Sequence, residues 1–162
     1  ISGQFDCEYC YPYEMKKVAA VLGTEVLRET SKEEVLNNIG EIRRVAGDRA
    51  ILRSLHFFFF FERVTKDVEA LSEGDFVGFL QGIKASGDSS FKYLQNVYMN
   101  TDIEHQNVSV ALALSELILG EDGVSRVHGG GFAGTIQAFV KNEKVKSVLN
   151  FKVTVLNLAK FG

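Results

Sequence analysis

Arg126-Val127-His128-Gly129-Gly130-Gly131-Phe132-Ala133-Gly134-Thr135-Ile136-Gln137 is the stretch from which the rest of the chain is read. Four of the six residues from 129 to 134 are glycine, and β-prone runs flank them at Val124 to His128 and Thr135 to Val140. Glycine, lacking a Cβ, accepts positive φ and lets another group approach the backbone closely. A loop of this kind can turn several N–H groups toward one point and so form an anion-binding nest. A tight hairpin that needs glycine only for its geometry explains the composition as well. A dinucleotide fingerprint overlaid on Gly129, Gly131 and Gly134 fails, because no long helix or acidic residue follows at the required spacing.

Upstream of the loop the pattern is helical. Pro12 suits a first turn, Met15, Val18, Ala19 and Leu22 share one face, and Gly23 is a stop. Ser31-Lys32-Glu33-Glu34 reads as a capping box opening a short helix through Val35, Leu36 and Ile39, with Gly40 and Gly47 as breaks. Asp48 is expected to cap the longest helix, running to about Leu71. Its expected inner stripe is Phe57, Phe61, Val64, Val68 and Leu71, with Arg53, Glu62, Arg63 and Lys66 in water. Five phenylalanines in a row at 57 to 61 cover more than one face, so that helix is buried nearly all round or meets a partner.

A further helix is expected after Gly74-Asp75, carrying Phe76, Phe79, Leu80 and Ile83 inward. Ser86 to Ser90 reads as a polar loop capping Phe91 to Tyr98. Another long helix starts at Thr101 or Asp102, turns Val110, Ala111, Leu114, Leu117 and Ile118 inward and ends at Gly120. A last helix is expected from Val145 to Lys160, although its β-branched content opposes it. Several helices followed by a strand pair give an α+β class.

Composition narrows function. One domain of 162 residues is expected, and a net charge of −3 without any Lys/Arg cluster argues against nucleic acid. The longest apolar run is far short of the ~20 residues that span a bilayer. Cys7 and Cys10 form a C-x-x-C, but no second pair completes a zinc site, so two free cytosolic thiols are expected. The absence of an initial Met suits an excised segment.

The glycine loop with Ala138-Phe139-Val140 closely resembles the third signature of the galactokinase branch of the GHMP kinases. The resemblance continues through Ser86-Gly87-Asp88-Ser89-Ser90, Tyr93-Leu94-Gln95-Asn96, Gln106, Gly47-Asp48-Arg49-Ala50, Arg53, His56-Phe57-Phe58, Arg63-Val64 and Glu14 to Ala19. It implies that residues 1–162 are the C-terminal half of such a kinase, a ferredoxin-like domain with several helices on a small antiparallel sheet. The sheet's final strand would begin about where Phe161-Gly162 ends. Phe59 to Phe61 depart from the family, which is usually polar there.

By resemblance the whole enzyme, a cytoplasmic one, moves the γ-phosphoryl group of ATP to the C1 hydroxyl of galactose, assisted by Mg²⁺. The partners implied are galactose or a related sugar and the N-terminal half of the same protein, with neither nucleic acid nor membrane. That N-terminal half would hold the main phosphate loop, the catalytic Asp and its Arg, so no catalytic residue and no metal ligand is expected here. Gly129, Gly130, Gly131, Phe132, Ala133 and Gly134 would close over the phosphates. Arg126 and His128 are read as loop supports, and Tyr9, in competition with Tyr11 and Tyr13, as a sugar contact. His56 is expected in the core and His105 in solvent. The rivals are a kinase for another sugar and a non-catalytic helical module binding through the phenylalanines.

Overall fold

The computed structural model describes residues 10–132 and 135–145. Its elements are α1 (Cys10–Val21), α2 (Lys32–Asn37), α3 (Ile39–Ala46), α4 (Asp48–Glu73), α5 (Phe76–Ser89), α6 (Asn107–Leu119), β1 (Gly123–His128) and β2 (Thr135–Val140). Pro12 lies in the first turn of α1, and Gly23 (φ 78°) ends it, with the Thr24 N–H donating to the Ala19 carbonyl at 2.9 Å. Ser31 caps α2 as expected: Glu34 N–H donates to its hydroxyl at 3.1 Å and Ser31 N–H to the Glu34 carboxylate at 2.8 Å. The break between α2 and α3 falls at Asn38, not at Gly40, which lies in the first turn of α3. Gly47 ends α3 and also occupies the cap position of α4. Asp48 is therefore the first helical residue rather than the cap, and its carboxylate pairs with Arg43 Nε at 2.8 Å.

The helical core gathers Val18, Ala19, Leu27, Val35, Ile42, Ala50 and Ile51, with Phe57 and Phe58 packed against it. Arg53, expected in water, is fully buried. Its guanidinium donates to Glu14 of α1 at 2.9 Å and to the Leu94 carbonyl at 3.0 Å, so its charge is balanced inside. Arg49 donates to the same Glu14 carboxylate at 2.7 Å.

The outer half of α4 is turned opposite to expectation. Phe61, Val64, Val68 and Leu71 are exposed, whereas Arg63 and Asp67 are half-buried. Polar packing sets that phase: a Cβ on Gly82 of α5 would overlap the Asp67 carboxylate, so the missing side chain makes room for it. Among the phenylalanines, Phe57 to Phe59 are half-buried while Phe60 and Phe61 are exposed.

Asp75 caps α5 by accepting the Gly78 N–H at 2.9 Å. The helix runs through the expected Ser86–Ser90 loop and widens into a π-helical turn over Ser90–Leu94. The expected Phe91 to Tyr98 helix is reduced to that turn, closed by Gln95 in the left-handed region (φ 55°). Ser86, Ser89 and Ser90 are buried. Asp102 does not start α6. Its carboxylate accepts the Glu104 and His105 N–H groups at 3.2 and 3.1 Å, and Gln106 Nε2 donates back to the Met99 carbonyl at 2.9 Å, which holds this stretch as a loop. Within α6 the inward residues are Val108, Leu112 and Leu119, while Val110 and Leu117 are exposed.

β1 and β2 pair antiparallel from Gly123↔Val140 to His128↔Thr135, as their sequences imply. Val97, Val108 and Val127 form a second core beneath them with Ile136. Gly87 lets α5 lie on β1, since a Cβ there would stand 3.2 Å from that of Arg126. The architecture is mixed helical with a small two-stranded antiparallel sheet, compatible with α+β. Cys7 and the helix expected beyond Val145 lie outside the described residues. Among the described residues, no helix is long and apolar enough to cross a membrane.

Two stability predictions follow from these contacts. Glu14→Ala strands a buried guanidinium and is expected to cost about 3–5 kcal/mol in urea unfolding; a loss near zero would mean that Arg53 is not held this way. Val68→Ser is expected to change stability by no more than about 0.5 kcal/mol, because the residue is exposed. A loss of about 2 kcal/mol would restore the inward stripe.

Candidate functional site

The strand pair ends at His128↔Thr135, and the chain turns through Gly129 to Gly134. Left-handed conformations fall on Gly129 (φ 73°), Gly131 (φ 82°) and Phe132 (φ 56°). For Phe132 that conformation costs roughly 1–2 kcal/mol, so something must hold it. The Phe132 N–H donates to the backbone carbonyl of Asn96 at 2.6 Å, and Asn96 Nδ2 donates to the Gly130 carbonyl at 3.3 Å. Gly131 sits so close that a Cβ would overlap the Asn96 carbonyl oxygen. Glycine is thus required twice at 131, by its φ and by this contact. At Gly129 the space is open, and only φ demands it.

One side of the loop is thereby committed to Asn96. Among the described residues, no backbone carbonyl outside the strand ladder accepts the N–H groups of Gly129, Gly130 or Gly131. Such N–H groups at a glycine turn are what an anion nest uses. Ala133 and Gly134 lie outside the described residues, as does Tyr9.

Arg126 points away from the loop, into the seam between β1 and α5. Its Nη1 donates to Ser86 Oγ at 2.9 Å and its Nε to the Val127 carbonyl at 3.0 Å. Burial lowers the guanidinium's pKa, and the nearby Asp67 carboxylate opposes that. Arg63 of α4 is lowered too, first by burial and also by Arg126, while Asp67 again opposes. His56 joins the cluster through Nδ1, 3.0 Å from Ser89 Oγ. Its pKa is pulled down to about 4 by burial and then by Arg63, so the ring is neutral at pH 7. His128 is exposed at the mouth of the loop, and His105 is exposed beside Asp102.

The sequence reading did not find Asn96 as the loop's partner or Ser86 and Ser89 as partners of Arg126 and His56. A helix signal that continues through two glycines and three serines was the available clue, since buried hydroxyls suit a helix facing charged groups. Among the described residues, no three His, Cys, Asp or Glu side chains converge as metal ligands.

Comparison with known proteins places this geometry in context. No family model matches the chain. A galactokinase of Glaesserella parasuis is 30% identical over 139 residues, which covers 83% of this chain and 33% of the relative. A galactokinase of Actinobacillus pleuropneumoniae is 29% identical and one of Haemophilus influenzae 30%, each over 82% of this chain and 33% of the relative. Over most of its length the chain is similar to galactokinases. It spans about a third of the length of the curated relatives it matches, consistent with a C-terminal portion of a galactokinase.

His56 gives the chain a pH signature. Its folded pKa of about 4 lies below the usual 6.5, so between those values the unfolded chain binds more protons. Stability from His56 is therefore full above pH 6.5 and is lost as pH falls toward 4. Urea unfolding of the wild type should lose more stability between pH 7 and 4.5 than His56→Gln does. Equal losses would show that the ring is not held neutral.

Proposed function

We propose that this galactokinase-like chain is the C-terminal domain of an ATP-dependent sugar kinase that transfers the γ-phosphoryl group of ATP to the C1 hydroxyl of galactose, with Mg²⁺ assisting. The observation that carries the reading is the similarity to galactokinases, about 30% identical over most of the chain. In this reading residues 1–162 are a GHMP kinase C-terminal domain of ferredoxin-like type, working in the cytoplasm beside the rest of the polypeptide.

Phosphoryl transfer asks a protein for positioning and charge stabilisation more than for covalent chemistry. The glycine loop suits the first task. N–H groups of Gly129 to Gly131 would face phosphate oxygens, with Asn96 fixing the loop from behind and Arg126 tying β1 to α5. His128 would support the loop's entry, and Tyr9 would reach the sugar. The Mg²⁺ ion, when bound, would neutralise phosphate charge, and its ligands are assigned to the remainder of the enzyme. A second reading, an interaction module, draws on the exposed Phe60, Phe61, Val64 and Val68.

The test is ADP release with ATP, Mg²⁺ and galactose. The full-length polypeptide carrying residues 1–162 should turn over and residues 1–162 alone should not; turnover with a different sugar only would change the acceptor, and none with any sugar would favour the module. Within an active enzyme, Gly129→Val forces a branched side chain to φ 73° in open space. Turnover should fall on the order of 10²-fold, as when a preorganised donor is misplaced, with only a modest drop in Tm. A hairpin without a phosphate role predicts lost stability and nearly intact activity per folded molecule.

A further inference from the structure

The loop meets the helical body at Asn96, and three locally unfavourable choices coincide there. Gln95, just before it, is a non-glycine residue in the left-handed region (φ 55°), and Phe132, across the contact, is another (φ 56°). Asn96 itself is buried at 2% exposure, and its Oδ1 has no hydrogen-bond donor among the described residues. A buried polar atom left unmet is costly, and an apolar side chain of the same size would be cheaper for folding alone. Violations of local consistency that gather at one spot mark a site kept for something other than stability.

What the arrangement gains is geometry. The Asn96 backbone carbonyl holds the Phe132 N–H at 2.6 Å, its Nδ2 reaches the Gly130 carbonyl at 3.3 Å, and Gly131 is pressed against it. Three consecutive loop residues are thus referenced to one side chain and its peptide. Asn96 is in turn fixed from the body: the π-helical turn ends at Leu94, whose carbonyl accepts from buried Arg53 at 3.0 Å. We propose that Asn96 is a positioning residue, which sets the direction of the Gly129 to Gly131 N–H groups and through them the binding of the ATP phosphates. This rests on the kinase reading above.

Asn96→Leu and Gly131→Ala approach the contact from its two sides, and both are compared with the wild type in the full-length polypeptide. Losing one oriented contact is expected to raise KM for ATP about tenfold in each variant, with KM for the sugar unchanged. Tm should be unchanged or higher for Asn96→Leu. Should Asn96→Leu fold poorly, Asn96→Ser is measured per folded molecule. A folded, active Asn96 variant that keeps the wild-type KM for ATP overturns the positioning role and leaves the kinase reading intact. A wild type that turns over no sugar overturns both.

Discussion

The Glu14 carboxylate is the point on which the helical body depends. It accepts from Arg53 at 2.9 Å and from Arg49 at 2.7 Å, joining α1 to α4 across the interior. Arg53 could not be fully buried without it, because an uncompensated charge in the core costs several kcal/mol. Once buried, Arg53 has a second hydrogen-bonding edge, which it gives to the Leu94 carbonyl. One ion pair thereby fixes the end of the π-helical turn at Leu94, and Asn96 stands two residues further on. From the first helix to the glycine loop the contacts are continuous.

A second polar group sets how the sheet lies on that body. Arg126 reaches Ser86, His56 reaches Ser89, and Asp67 fills the notch at Gly82. These contacts turn Arg63 and Asp67 toward α5 and leave Phe60, Phe61, Val64 and Val68 outward. In the second half of α4 these apolar residues stand outward because Arg63 and Asp67 take the side that faces α5.

Local signals in the sequence were legible where local physics decides. The Ser31 capping box, the stops at Gly23 and Gly47, and the two strands with their glycine turn all stand where the residues place them. The phase of α4 was not legible, because hydrophobic periodicity assumes that apolar side chains face inward, and here Arg53, Arg63 and Asp67 do. The serines at 86 to 90 were misread for a related reason: small hydroxyl residues suit a turn in isolation and a helix when charged partners face them. The start of α6 was missed because Asp102 caps a turn with the same hydrogen bonds that would cap a helix. At the candidate site, the glycines were evident, but Asn96, 35 residues before Gly131, becomes visible only through a contact that no local pattern encodes.

The central claim is that this segment presents a preset glycine loop to the phosphates of ATP. A crystal structure of the full-length polypeptide with a non-hydrolysable ATP analogue tests it most directly. The account predicts N–H groups of Gly129 to Gly131 about 3 Å from phosphate oxygens, with the Phe132–Asn96 hydrogen bond unbroken. A nucleotide bound elsewhere, or a loop that must leave Asn96 to reach it, would contradict the account.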